Sequence, residues 1–245
     1  MKNWRTKIKD CLCLNFAIEA EEIKRLLPRG TEVDYRRFRG KKRGFFSLLF
    51  FNCESFRHSS LGWPTFNFPA VSLQFYIRDA RDNPALYLGR LYTPGMARFL
   101  GSWLLNLPLG GLKFSYPTRA NPGGKYRWVV EGQGAGNVQG KIESEPGISN
   151  YLGEMFDSPS KLRRFLFQRT YCYFSAGSKG VHRLKPGTYF EQVHPVTIKD
   201  WELGFIAADL ERHSFPEARS SCFFLPELKL DLKGPELVDT SALTA

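Results

Sequence analysis

The residues with the clearest potential for ligand chemistry lie in one short segment, Arg169 to Ser175. In an extended chain alternate side chains share a face, so Arg169, Tyr171 and Tyr173 are predicted to point the same way. A guanidinium offers two parallel N–H donors and a phenol adds a hydroxyl donor, which suits a carboxylate or phosphate ligand. The alternative is that Arg169 bonds carbonyl groups at the end of a preceding helix, where cations are also stabilised. The segment therefore predicts either an acid-binding site or a helix-capping arginine.

Two further polar candidates lie on predicted strands with one polar and one apolar face. Tyr76 shares the polar face of the strand Val71 to Arg78 with Ser72. Lys113 lies on the strand Leu112 to Tyr116, opposite the face of its apolar residues. Each polar face either lines a cavity or meets solvent, and lysine is rarely buried without a partner. Tyr76 and Lys113 are therefore candidate ligand-binding residues, with solvent exposure as the alternative.

Other catalytic and metal-binding patterns are missing from the sequence. It contains no Gly-x-Ser-x-Gly and no His-Glu-x-x-His, and its 4 histidines lie far apart. The 5 cysteines, at 11, 13, 53, 172 and 222, lack the paired spacing of a zinc site or a disulfide framework. The glycine-rich run 132–136 precedes an alternating segment rather than a helix, which favours a hairpin turn over a dinucleotide loop. We therefore expect no metal, no cofactor and no catalytic residue from these patterns.

Positive charge is concentrated in one part of the chain. The formal net charge is +11, and residues 24–43 hold nine basic residues against Glu32 and Asp34. Such a cluster attracts nucleic acid or another polyanion, whereas charges at a solvated hairpin tip are the alternative. The residues predicted to make a polyanion contact are Arg36, Arg37, Arg39, Lys41, Lys42 and Arg43.

The chain of 245 residues contains no linker-like segment and no apolar run long enough to cross a bilayer. Residues 1–225 are therefore predicted to form a single domain, and residues 226–245, which lose their periodicity, a loosely ordered C-terminal tail. The unpaired cysteines favour a reducing compartment, and we expect a cytoplasmic location.

Hydrophobic periodicity predicts three helices among many strands. One helix covers Glu19 to Leu27, a second starts at Thr93-Pro94 and stops before Pro108, and a third starts at Ser158-Pro159. The predicted strands are Phe45–Asn52, Val71–Arg78, Ala85–Leu91, Leu112–Tyr116, Tyr126–Glu131, Thr170–Ser175 and Tyr189–Thr197. This pattern indicates an α+β chain that is mainly β, with a curved sheet whose closure into a barrel would remove exposed edges.

A series of short motifs occurs in an order that resembles a known family. The motifs are LNFAIEAEEIKRLLPRG, FPAVSLQFYI, ALYLGRLY, the helix before Leu107-Pro108, FLFQRTYCY and a late Trp201. Over roughly Leu14 to Leu210 they resemble the YqjF-like uncharacterised bacterial family of the acetoacetate decarboxylase-like superfamily. The resemblance implies a cone-shaped β-barrel with flanking helices and an interior cavity for a small molecule.

The chain departs from that superfamily at the catalytic lysines of the decarboxylases. The decarboxylases place two adjacent lysines after the proline that matches Pro108, and one of them forms a Schiff base. This chain has Leu109 and Gly110 there. Because leucine cannot form an imine, we expect no acetoacetate decarboxylase activity. Lys113 is the nearest residue that could replace the lost lysines.

Two segments keep part of the family's pattern. FLFQRTY resembles Phe-Leu-x-Glu-Arg-Tyr at Arg169, and Tyr76 keeps the tyrosine of a Glu-Leu-Asn-x-Arg-x-Tyr strand whose other polar groups are lost. The resemblance implies a barrel cavity that binds or converts a small organic acid, with Tyr76, Arg169, Tyr171 and Lys113 as candidate ligand-binding residues. The alternative is an interaction module that binds nucleic acid or another polyanion through the basic hairpin.

Overall fold

The chain forms a mainly β structure with short helices against the sheet. The structure, a computed structural model, describes residues 3–29, 31–60, 65–95, 97, 107–111, 113–118, 126–132, 135–143, 155–175, 180–190, 192–200, 220–239 and 243. The helices within these ranges are α1 (Ala20–Leu26) and α2 (Pro159–Phe167). The strands are β1 (Asn3–Glu19), β2 (Glu32–Val33), β3 (Arg36–Phe38), β4 (Lys41–His58), β5 (Phe66–Arg78), β6 (Pro84–Thr93), β7 (Leu109–Gly111), β8 (Lys113–Thr118), β9 (Tyr126–Gly132), β10 (Ala135–Glu143), β11 (Tyr171–Ser175), β12 (Val181–Phe190), β13 (His194–Asp200) and β14 (Ser220–Val238).

Seven strands close into a barrel, which confirms the predicted fold class. Their order is β1-β4-β5-β6-β11-β12-β14, and β14 pairs again with β1 to complete the ring. The first part of β14 also pairs with β13, which continues through β10 and β9 to β8. Because every barrel strand has two partners, closure leaves no unpaired edge in the ring.

The central parts of β1, β4 and β5 bury both of their faces. In β4, Phe46 and Leu48 point outward into a core shared with α1, whereas Phe45 and Ser47 point into the barrel. This double burial explains why β4 is continuously apolar rather than alternating. The inner face of β1 carries smaller side chains such as Cys11 and Cys13, whose outer neighbours are leucines. Small side chains inside and large ones outside leave space within the barrel.

Local irregularities bend the long strands. Asp10 has φ 50° beside a register shift between β1 and β4, and Ser55 has φ 53° at a shift between β4 and β5. Such bulges increase the local twist and help a strand curve around a barrel. Where α1 crosses β4, a Cβ on Gly44 would lie 2.9 Å from Ile23 Cδ1, so glycine permits the close approach.

Two of the three predicted helices lie within the described residues and are confirmed. Helix α1 buries Ile23 completely against the outer core. Helix α2 starts as predicted, with Ser158 Oγ accepting a hydrogen bond from the backbone N–H of Lys161 and proline in the first turn. The predicted helix after Thr93 falls mainly on residues 96 and 98–106, outside the described residues.

The terminal strands differ from the sequence-based prediction. Residues 226–238, expected in a loosely ordered tail, belong to β14 and pair with β1 and β12. The N-terminal residues 3–19 form one long strand that the sequence pattern did not predict. Both strands are stabilised by partners distant in the chain, since Asn3 pairs with Lys233. The predicted strand Tyr189–Thr197 is the end of β12 followed by β13.

None of the helices that the structure describes combines the length and the apolar character needed to span a membrane.

Candidate functional site

The barrel encloses a cavity of about 360 Å³. The polar face of β5 lines it with Ser72, Gln74 and Tyr76, while Leu73 and Phe75 point into the outer core. The polar face of this strand therefore faces the interior rather than solvent. This orientation follows from the outer core, which buries the apolar side of β5.

Helix α2 closes one end of the cavity. Its apolar face buries Leu162, Phe165 and Leu166 against the inside of the barrel. The Phe165 ring stacks on Tyr76 with centroids 5.2 Å apart and meets Phe45 at 4.7 Å. Because the Tyr76 ring is fixed between β5 and α2, the chain that leaves α2 is held close to the cavity wall.

Arg169 lies in the link between α2 and β11 and lines the cavity. Its side chain is 2% exposed, and Nη1 donates a hydrogen bond to Asp34 Oδ2 at 2.6 Å. Its Cζ is 4.3 Å from the Phe165 ring centroid and 4.7 Å from that of Tyr76. Burial lowers the pKa of Arg169, while Asp34 acts in the opposite direction. A charged guanidinium is therefore held at the wall by an ion pair and two rings.

Asp34 orients this guanidinium from the end of β2, which pairs with β5. It follows β2, and its backbone N–H donates to the carbonyl of Tyr76 at 3.0 Å. Its carboxylate also accepts from Arg78 Nε at 3.3 Å. Sequence reasoning counted Asp34 only as a charge within the basic region. Its position close to several arginines was the available signal, but nothing local identified Arg169 as its partner, 135 residues away.

One edge of the Arg169 guanidinium has no hydrogen-bond partner. Nε and Nη2 are buried, and no acceptor among the described residues reaches them. These two nitrogens present parallel N–H groups on the edge that does not contact Asp34, in the geometry that binds a carboxylate through two hydrogen bonds. Unpaired buried donors are costly, so this edge is suited to receive an acceptor.

The hydroxyl group of Tyr76 belongs to a buried polar chain. Ser47 donates to Asn15 Oδ1 at 2.6 Å, which commits the Ser47 proton. The 2.8 Å contact between Ser47 and Tyr76 is therefore donated by the phenol. Burial raises the pKa of Tyr76, so the phenol is neutral at ordinary pH. Sequence reasoning missed Asn15, although a lone amide in the apolar run CLCLNFAI was a visible signal.

Cysteines line the same cavity without forming an evident reactive site. Burial raises the pKa of Cys11 and Cys53 to about 12 each, so these thiols remain protonated. Thr6 Oγ1 contacts Cys53 Sγ at 3.1 Å. Over the part of the chain that the structure describes, no cluster of three or more histidine, cysteine or acidic side chains could hold a metal ion.

The structure brings two of the four candidate residues together. Tyr76 and Arg169 adjoin each other at the cavity, whereas Tyr171 packs against the outer core and beneath the guanidinium of Arg183, 4.7 Å away. Strand β11 starts only at Tyr171, so the alternation predicted from Arg169 does not extend into the link. Lys113 lies at the start of β8, in the part of the sheet beyond the barrel, and its side chain lies outside the described residues.

The positions of the missing lysines adjoin the cavity. Leu109, in β7, lines it beside Leu91, its parallel partner in β6. A Cβ on Gly110 would lie 2.6 Å from Tyr92 Cδ1, so the packing leaves no room for a side chain there. At the positions where the resemblance implies lysines, this chain therefore has a leucine at the cavity wall and a closely packed glycine.

We expect no imine to form on this chain. Incubation with acetoacetate followed by borohydride should leave the intact mass unchanged, because neither Leu109 nor Gly110 has an amine. Mass spectrometry of the reduced protein and its peptides measures this directly. An adduct mapped to Lys113 would contradict the expectation and identify a relocated nucleophile.

The basic region forms the predicted hairpin. Strands β3 and β4 pair across Arg39 and Gly40, which both have positive φ values, 48° and 77°, as a tight two-residue turn requires. The pairing sets cations opposite each other, with Arg37 facing Lys42. Part of this positive charge is balanced by an ion pair between Lys41 and Glu19. The hairpin therefore presents a positively charged surface outside the barrel.

Comparison with known proteins extends this description. The sequence model of the DUF2071 family, described as an uncharacterised conserved protein (COG2071), matches residues 5–221. No curated protein matches the chain.

Several solved structures share the fold at low sequence identity. The enduracididine biosynthesis enzyme MppR complexed with pyruvate has 12% identity and a TM-score of 0.60, over 97% of this chain and 90% of its own. An acetoacetate decarboxylase-like enzyme from Sphingomonas wittichii RW1 has 9% identity and a TM-score of 0.59, over 97% and 93%. Acetoacetate decarboxylase from Legionella pneumophila has 9% identity and a TM-score of 0.60, over 96% and 87%. These likenesses confirm the acetoacetate decarboxylase-like fold.

Proposed function

This chain belongs to the DUF2071 family, and we propose that it binds a small organic acid in its barrel cavity, with the ligand carboxylate on Nε and Nη2 of Arg169. The observation that carries the proposal is the pair of buried guanidinium nitrogens without a hydrogen-bond partner, on a residue that lines the cavity. A carboxylate satisfies both donors at once, through two charge-assisted hydrogen bonds. Asp34 holds the opposite side of the guanidinium, so the fork is pre-oriented.

Tyr76 serves this site as a support rather than as a donor. Its ring faces the guanidinium at 4.7 Å, and its hydroxyl proton is committed to Ser47. The phenol oxygen still has a lone pair with which to accept a hydrogen bond from a ligand hydroxyl. The proposal requires no reaction, since it assigns no nucleophile or general base.

Replacing Arg169 with lysine is expected to weaken the binding of carboxylates by about 10- to 100-fold. The lysine ammonium cannot reproduce the two parallel N–H donors of the guanidinium. A hydrogen bond to a charged group contributes about 1.5–3 kcal/mol to the binding free energy. Calorimetric titration with acetate, pyruvate, butanoate and hexanoate measures the effect.

Arg183→Lys is the matched control for this titration. Arg183 also stacks on a tyrosine and pairs with an acid, Glu236, but lies away from the cavity. The Arg183→Lys variant should bind the acids with the same affinity as the wild type. Equal affinities for wild type and Arg169→Lys, or binding by neither protein, would reject the proposal.

A second proposal, polyanion binding through the hairpin, is favoured by its like-charge pairs. Arg36 faces Arg43 and Arg37 faces Lys42, arrangements that are unfavourable without a counter-charge. Binding of duplex DNA or heparin that falls steeply with salt concentration, and that Arg37→Ala with Lys42→Ala weakens, would support it. Binding insensitive to the double substitution would reject it.

A further inference from the structure

The cavity carries its charge at one end and is mainly, though not wholly, apolar along the rest of its length. Arg169 is the single charged residue among the described residues that line it, and 12 of the others are leucines. The charged end adjoins Tyr76 and the last turn of α2, where Leu166 also lines the wall. An occupant that matches this wall has one anionic group and an apolar body.

The apolar part extends far from Arg169. On β5 the lining continues from Tyr76 back to Phe66, ten residues earlier. A rise of about 3.3 Å per residue and a strand tilt of about 40° give roughly 25 Å along the barrel axis. On β1 the lining likewise runs from Cys13 to Thr6, whose partner on β14 is Leu230. The cavity is therefore elongated, with its charge at one end.

The volume also exceeds that of a short acid. Cavities of about 300–1,000 Å³ hold ligands of drug size, and this one measures about 360 Å³. An acid of two to four carbons at Arg169 would leave the leucines without contacts, so it would gain little from the apolar wall. Each added methylene that reaches the wall removes more apolar surface from water.

We propose that the ligand is a medium-chain, unbranched aliphatic carboxylic acid. Its carboxylate binds Nε and Nη2 of Arg169, and its chain extends along the leucines towards Thr6 and Leu230. This inference rests on the proposed acid site and adds the class of the ligand. It differs from a general acid site in requiring affinity to rise with chain length.

Titration of the wild-type protein with butanoate, hexanoate, octanoate and decanoate, below their micelle concentrations, tests the inference. The dissociation constant should fall about fourfold per methylene, because burying one is worth about 0.8 kcal/mol and about 1.4 kcal/mol is tenfold. From hexanoate to decanoate the expected gain is about 200-fold. The matched alcohols, 1-hexanol to 1-decanol, should bind at least about tenfold more weakly, since they lack the charge.

Each outcome separates this inference from the acid site on which it rests. Acids that bind equally at every length overturn the apolar-chain inference and leave the acid site standing. Alcohols that bind as tightly as acids, with Arg169→Lys unchanged, overturn the role of Arg169. Binding by no member of either series overturns both.

A variant part of the way along the wall locates the chain. Leu49→Trp adds volume at the level of Ser72, four residues from Tyr76 on β5, and should weaken decanoate at least about tenfold while leaving butanoate unchanged. Equal weakening of both acids would contradict the proposed path. If this variant fails to fold, the wild-type series still decides the inference.

Discussion

Replacing Asp34 with alanine is expected to lower the free energy of unfolding by about 3–5 kcal/mol, because removing one partner of a buried ion pair leaves the other charge uncompensated. The charge left without a partner is that of Arg169, whose side chain is 2% exposed and whose Nη1 donates a hydrogen bond to Asp34. Arg78 reaches solvent and keeps its contact with Asp82, so it adds less to the cost. Urea unfolding at equilibrium measures the change.

Two controls distinguish the buried pair from a general effect of charge. Asp82→Ala removes an exposed partner and should cost no more than about 1 kcal/mol. Asp34→Leu combined with Arg169→Met replaces the pair with apolar groups and should restore most of the stability. A loss below about 1 kcal/mol for Asp34→Ala would show that Arg169 is stabilised without Asp34.

Replacing Phe45 with alanine is expected to cost about 3–5 kcal/mol, because it opens a cavity in a closely packed aromatic cluster. Phe45 is fully buried on the inner face of β4. Its ring centroid lies 4.7 Å from Phe165 and 5.9 Å from Phe156, so it joins the barrel to α2 and to the segment before it. Thermal and urea unfolding measure the loss.

The comparison variants are Phe45→Leu and Leu237→Ala. The first keeps most of the volume and should cost less than about 2 kcal/mol. The second truncates a large apolar residue that is 67% exposed, and it should change stability by less than about 0.5 kcal/mol. Equal losses for Phe45→Ala and Leu237→Ala would contradict the role of Phe45 in joining the barrel to α2.

Several elements could be predicted because their signals are local. Ser158 and Pro159 specify the start of α2 through a side-chain cap and a fixed φ. The β3–β4 hairpin follows from Gly40 between two strand-like segments. The absence of an imine-forming lysine at Leu109 and Gly110 also required only the sequence.

The long terminal strands could not be predicted in this way. Strands β1 and β14 lie at opposite ends of the chain and pair with each other to close the barrel. Without its partners, the charged start of β1 carries no clear strand signal, and β14 resembles a tail. Strand formation depends on such cross-strand contacts more than on intrinsic preference.

The sequence by itself determined the fold class, the alternation of polar and apolar residues in β5 and the identity of Arg169 and Tyr76 as candidates. Only the tertiary structure decided that the polar face of β5 points inward, because that choice depends on what packs outside the strand. It also decided that Asp34 pairs with Arg169, while Tyr171 lies elsewhere. Alternation is a property of neighbouring residues, whereas the inner side of a barrel and the partner of a buried charge are set by residues far apart in the chain.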